Sequence, residues 1–306
     1  MAYTSGDTIL DTHYNDFATS VNAIWGTGTG DAGYGNTGTT VASVSDGDTV
    51  QATQWSTLLS RISSMASHQN SSITSITSPS GGDNIAAFTA LSGNITTITN
   101  NRLNVHARQS AVSNNIDNTT NLTGTITQTG RFSWGSANQK RYFFNLGGRL
   151  SCQWSLSGDS NTNKSNDWQT LATACGTFNI TENASGKSGG SGSASTNGIN
   201  SNTGHGFGDM TGSFVVCFKQ FAAAYAAYTS NYIQLEALST STYVELRSKW
   251  VDAAAEQTGF TKSIYNVRDT VDGTKRTTFR SEKHNTTHIS DTGGTISFST
   301  TTNSHG

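Results

Sequence analysis

Arg141-Tyr142-Phe143-Phe144-Asn145-Leu146-Gly147-Gly148-Arg149-Leu150-Ser151 concentrates apolar mass in a chain otherwise dominated by Ser, Thr, Asn and Gly. Three adjacent aromatics before a double glycine read as a strand entering a tight turn, and Leu150, Cys152 and Trp154 alternate along a strand that leaves it. Paired glycines suit backbone angles that a Cβ resists. On this reading Phe143, Phe144, Gly147, Gly148 and Trp154 belong to the nucleus of a β-rich domain over residues 131–306.

Alternation continues downstream of the hairpin. Trp154 to Ser157 and Thr177 to Ile180 read as strands, while Trp168, Leu171 and Ala172 suit a short helix or strand. Residues 183–204 are almost wholly Gly, Ser, Asn and Thr, which predicts an exposed flexible loop. Phe214 to Phe218 is a short apolar run, a buried strand or the start of a helix. Ile233, Leu235 and Ala237 share one strand face, and Val244, Leu246, Ser248 and Trp250 share another. Ile264, Val267 and Val271 lead into Asp272-Gly273, a hairpin signal returning through Thr277 to Arg280; Thr295 to Phe298 is the last strand.

Upstream, residues 1–100 hold three degenerate repeats. Gly6-Asp7-Thr8-Ile9, Gly47-Asp48-Thr49-Val50 and Gly82-Asp83-Asn84-Ile85 each precede an amphipathic set. The sets are Tyr14, Phe17, Val21, Ile24; Trp55, Leu58, Ile62, Met65; and Phe88, Leu91, Ile95, Ile98. Spacings of three and four put each on one helix face. Thr12 and Thr53 stand where N-caps belong. The three helices suit a plain bundle or a docking and trimerising module. Gly26 to Gly35 matches GxGxxG at Gly28, Gly30 and Gly33, but it follows a helical pattern instead of a strand, so it reads as a flexible loop. Pro79 marks a turn, and residues 101–130 read as a polar linker. The fold class is therefore α+β: short amphipathic helices, then a mainly antiparallel β-sandwich-like domain.

Composition narrows function. Hydrophobic residues make up 33% and charged residues 12%, too few for a thick core along the whole length. A net charge of -2, with 13 Phe, 9 Tyr and 6 Trp, separates the chain from a disordered one. Such a balance favours thin β-structure that assembles with neighbours. Without a dominant basic patch, nucleic acid is not an expected partner. No apolar run reaches the roughly 20 residues of a spanning helix, and the first residues lack a basic-then-apolar leader, so a soluble protein made in a cytoplasm is expected.

The Arg141 to Arg149 stretch, Gly208-Asp209-Met210-Thr211, Tyr232-Ile233-Gln234-Leu235-Glu236-Ala237, the Gly-Asp-Thr-Ile opening and the Tyr34-Gly35 loop resemble virion structural proteins of tailed bacteriophages, cyanophages in particular. The resemblance implies a non-enzymatic tail, baseplate or fibre component located in the virion. It would act as a homo-oligomer, a trimer foremost, docked to other virion proteins. Host-glycan recognition and capsid or neck decoration are the alternatives. It transfers no catalytic residue.

Chemistry-bearing residues are sparse. Cys152, Cys175 and Cys217 are odd in number and widely spaced, hence buried free thiols. His284 and His288 are four apart, but Asn285-Thr286-Thr287 is poor helix material, so an exposed turn is expected; His205 sits in a glycine-rich loop. Asp7, Asp48 and Asp83 recur with the repeat and suit turn amides. Asp159, Asp167 and Asp209 could serve a glycan-cleaving pair only across a cleft of defined width. Trp134, Trp154, Trp168 and Trp250 suit a core better than a sugar platform. No catalytic, cofactor or metal residue is assigned; Tyr14, Phe17, Trp55, Leu58, Phe143, Phe144, Gly147, Gly148, Trp154 and Trp250 are the candidate core and interface positions.

Overall fold

A computed structural model describes residues 11–78, 80, 87–182, 185–191, 212–254 and 271–306. The fold is α+β, and the chain divides into two compact units. One comprises residues 1–109, 138–148 and 283–294; the other comprises 110–137, 149–282 and 295–306. Neither is a continuous stretch. The first and third Gly-Asp signatures, Pro79, Gly208 to Thr211, His205, most of the 183–204 loop, and Ile264 with Val267 lie outside the described residues.

The first unit is helical. Its helices are α1 (Asp11–Trp25), α2 (Ala52–His68), α3 (Phe88–Asn100) and α4 (Ala137–Asn145). The repeat sets face one core, where Tyr14 meets Trp55 edge-on at 5.4 Å and Phe17 meets Phe88 at 5.0 Å. Tyr14, Phe17, Trp55 and Leu58 are all buried. Three asparagines clamp extended chain against the helices with paired bonds: Asn15 to Val44, Asn22 to Val41 and Asn94 to Thr74, each at 2.8–2.9 Å. The N-cap expectations need correcting. Thr12 and Thr53 lie inside their helices, and Gln51 caps α2 in a reciprocal box with Gln54.

The founding hairpin is also corrected. Tyr142, Phe143 and Phe144 are helical, in α4, because three consecutive apolar residues carry no period-two signal and Gln139, Lys140 and Arg141 favour a helix. All three aromatics and Lys140 are buried, as befits a helix covered on several sides. The double glycine ends this helix. Gly147 N–H donates to Phe144 O (2.9 Å) and Gly148 N–H to Phe143 O (2.8 Å), a Schellman arrangement with Gly147 at φ +85°. A Cβ on Gly147 would meet Val105 at 2.5 Å, and one on Gly148 would meet the Phe143 carbonyl at 2.5 Å. Phe143 and Phe144 thus belong to the helical unit.

The second unit holds two antiparallel five-stranded sheets and helix α5 (Asn163–Cys175). In chain order the strands are β1 (Val112–Asn118), β2 (Thr125–Trp134), β3 (Arg149–Ser157), β4 (Thr177–Ile180) and β5 (Ser185–Ser188). Then come β6 (Val215–Phe221), β7 (Tyr232–Ser239), β8 (Tyr243–Val251), β9 (Thr274–Glu282) and β10 (Ile296–His305). One sheet runs β1-β9-β3-β4-β5 and the other β10-β2-β8-β7-β6. Trp154 stacks on Phe218 across the layers at 5.3 Å, and Trp168 of α5 packs 5.8 Å from Trp250. Asp272-Gly273 opens β9, whose partners are β1 and β3.

The expected linker over 101–130 gives way to structure: β1 and half of β2 lie within it. Its Gln128 is fully buried at the centre of the sandwich. Gln128 Nε2 donates to the carbonyls of Ile116 (2.8 Å) and Lys275 (3.0 Å), while Oε1 accepts from Trp250 Nε1 (3.2 Å) and Thr277 Oγ1 (2.6 Å). Ser248 extends the network to Thr277 (3.1 Å) and to Trp154 Nε1 (2.8 Å). Five strands from both sheets thereby share one set of hydrogen bonds. Polar composition hid this segment, because a satisfied buried amide looks like a surface residue in sequence.

Candidate functional site

The outward face of β1, β9 and β3 carries a groove of about 360 Å³. Strand alternation builds it, since residues two apart share a face. Pairing sets three rows: Ser113–Arg280–Ser151, Asn115–Thr278–Gln153 and Asp117–Arg276–Ser155. From these rows Ser113 and Asn115 line the groove on β1, Gln153 and Ser155 on β3, and Arg276, Thr278 and Arg280 on β9. The edge of Trp154 also touches it, although that ring is turned into the core.

Charges on this face are unequal. Arg276 makes two bonds to Asp117, 2.7 and 2.8 Å, and holds that carboxyl below its ordinary range. Arg149 pairs with Glu282 at 2.6 Å. Arg280 has no carboxylate partner among the described residues, and its Nε is closed to solvent without an acceptor. Asn115 Oδ1 accepts from Thr278 Oγ1 at 2.8 Å, which leaves its amide N–H groups directed elsewhere. The groove can therefore offer donors, hydroxyls and one uncommitted guanidinium.

The helical unit holds a different feature, a cluster of four histidines. His68 ends α2, and its ring meets His284 edge-on at 5.3 Å, while His106 meets His288 at 6.1 Å. His68, His106 and His288 line a cavity of about 110 Å³ with Ala107, Asn285 and Thr287. The expected exposed turn is present, with a turn at 286–287 and residues 285–288 exposed, but His284 itself is 1% exposed and departs from it. Its ring bonds to the Ile289 carbonyl at 3.2 Å, and Asn285 N–H bonds to Ala107 O, so a local loop is drawn inward. Burial, reinforced by the other histidines, lowers His68 to about 3 and burial also lowers His284. No group of three among the described residues has metal-binding geometry.

Other predicted residues take structural places. Trp134, Trp154, Trp168 and Trp250 are all buried; among the described residues the exposed aromatics are Phe221 and Tyr225. Cys152, Cys175 and Cys217 are buried and free, and burial raises each thiol. Burial raises Asp167 to about 6, with Tyr225 N–H donating to it at 3.1 Å, while Asp159 accepts from Gln169 at 2.6 Å. The Gly26 to Gly35 segment is held, against expectation. Arg141 donates to the carbonyls of Thr27 and Ala32 (both 2.6 Å), and Asn145 to those of Ala32 and Gly33 (both 3.0 Å). Arg276, Arg280, His68 and His106 carried no spacing signal; β9 alternation alone could have paired the arginines. Compared with known proteins, the chain matches no family model, and no curated protein or solved structure proves similar to it.

Proposed function

We propose that this chain is a non-enzymatic structural component of a tailed-bacteriophage particle, assembled in the host cytoplasm into the tail, baseplate or fibre. It acts as a homo-oligomer, foremost a trimer, docked to other virion proteins. The sequence resemblance supports the particle, and β10 supports assembly. β10 is a ten-residue edge strand, and Ile296 to His305 contains no Lys, Arg, Asp, Glu or Pro. Edge strands are ordinarily blunted by such residues; here the one irregularity is a bulge between Thr300 and Thr302. An open edge of this kind accepts a strand from another copy. Light scattering on the purified chain should give an oligomer that Ser299→Lys with Thr301→Lys dissociates; an unchanged mass rejects the edge assignment. Mass spectrometry of fractionated phage should find the chain with tails, whereas recovery with heads would make it a decoration protein.

The groove on β1, β9 and β3 favours a second reading, recognition of host surface glycan. Binding of the purified chain to a glycan array tests it, and binding to no saccharide rejects it.

A further inference from the structure

We infer that the groove on β1, β9 and β3 binds an acidic saccharide, with a sugar carboxylate seated on Arg280 and sugar hydroxyls on the surrounding amides and hydroxyls. This rests on the glycan reading and specifies its chemistry.

Charge comes first. On the outward face of the other sheet the cations are satisfied: Arg131 pairs with Glu245 (2.8 Å), Lys249 with Glu236 (2.7 Å), Arg247 with the same Glu236, and Lys219 lies over the Tyr232 ring at 3.6 Å. On the groove face Asp117 is consumed by Arg276 and Glu282 by Arg149. Arg280 is left with a planar donor fork and no anion among the described residues, at the row between Ser113 and Ser151. Among the described residues no carboxylate lines the groove itself. With its Nε edge closed to solvent, a guanidinium in that setting takes a carboxylate end-on, with two parallel bonds from its terminal nitrogens.

The remaining lining decides between a bare anion and a sugar. Serine and threonine hydroxyls and asparagine and glutamine amides each donate and accept, which matches the mixed demand of vicinal sugar hydroxyls. They are spread over three strands, wider than one small anion can reach. The volume of about 360 Å³ falls at the lower end of the roughly 300–1,000 Å³ of ligand sites. Stacking contributes nothing, because Trp154, the only aromatic at the groove among the described residues, is committed to Phe218 and Ser248. Recognition by hydrogen bonds and one ion pair is weak per site, so firm attachment requires several copies.

The test is calorimetric titration of the full chain with trigalacturonate, its methyl ester and inorganic phosphate. Trigalacturonate should bind, and the ester, which keeps the sugar and removes the charge, should bind at least about tenfold more weakly. Arg280→Gln should reduce trigalacturonate to the level of the ester with an unchanged circular dichroism spectrum. Ser155→Glu, which sets a like charge in the groove without touching Arg280, should weaken the acid more than the ester. Equal binding of acid and ester overturns the inference while leaving the glycan reading standing. Binding of no saccharide overturns both. Phosphate displacing the acid at equal concentration overturns the sugar assignment, and affinity retained in both variants overturns the site.

Discussion

The two units place their buried polar groups differently. In the helical unit the repeat helices meet in an apolar seam, with Tyr14, Val21, Leu58, Met65 and Ile98 almost without exposure. Polar groups act beside it: asparagine clamps, Gln69 bonded to the Tyr34 hydroxyl and the Ile98 carbonyl, and the buried His68 and His284. In the sandwich the centre is polar at one point, where Gln128, Thr277 and Ser248 join strands of both sheets. An apolar helix seam tolerates small shifts, because dispersion and burial are non-directional. A buried hydrogen-bond network fixes one register and penalises every other. The lesson is that the helical unit gains its specificity from distant segments, 138–148 and 283–294, whereas the sandwich gains it from within its own strands.

The strongest way to break this contrast is to remove the distant segments. A fragment of residues 1–109 lacks Tyr142, Leu146 and Ile289 from the core and the donors on the glycine loop. It should give little cooperative thermal unfolding by circular dichroism; a sharp transition would show the three repeats to be self-sufficient. Next in size is Gln128→Ala. It takes the amide donor from the Ile116 and Lys275 carbonyls, while the Trp250 indole keeps Thr277 Oγ1 (3.2 Å) and Thr277 keeps Ser248 (3.1 Å), at a cost of about 4 kcal/mol, given about 1–3 kcal/mol for each buried group left unpaired. Urea denaturation followed by tryptophan fluorescence measures it, and a loss under about 1 kcal/mol would mean that water or repacking replaces the amide.

Acid should then separate the units. His68 is neutral when folded because burial lowers it to about 3, whereas unfolded histidine titrates near 6.5. The unfolded state binds more protons between those values, so this stability is complete above about pH 6.5 and is lost as pH falls toward 3. At pH 5 the loss from His68 alone is about 2 kcal/mol, and His284 acts in the same direction. His68→Phe should flatten the profile. A helical unit as acid-resistant as the sandwich would contradict the burial of the cluster.

Legibility in sequence followed the range of the forces. The three helices were readable because their apolar spacing is local, and β3, β4, β7 and β8 because alternation is local. The double glycine was readable as a special backbone but not as a helix stop: Gly147 at φ +85° suits a hairpin as well as a Schellman end. Only the bonds to Phe143 and Phe144 decide it. Gln128 and His284 were misplaced because burial of a polar side chain depends on partners far along the chain. For the candidate groove, Arg276 and Arg280 share a face by alternation, but Arg280 stands out only once Asp117 and Glu282 are known to be taken.

The claim that distant segments complete the helical unit is tested most directly by hydrogen exchange on Asn145→Ala. This change removes donors from the Ala32 and Gly33 carbonyls without altering any repeat helix. The amides of Tyr34, Gly35 and Asn36, bonded to Ile24, Gly26 and Trp25, should lose protection while those of β2 and β8 keep theirs. Unchanged protection at residues 34–36, or equal loss in the sandwich, would contradict it.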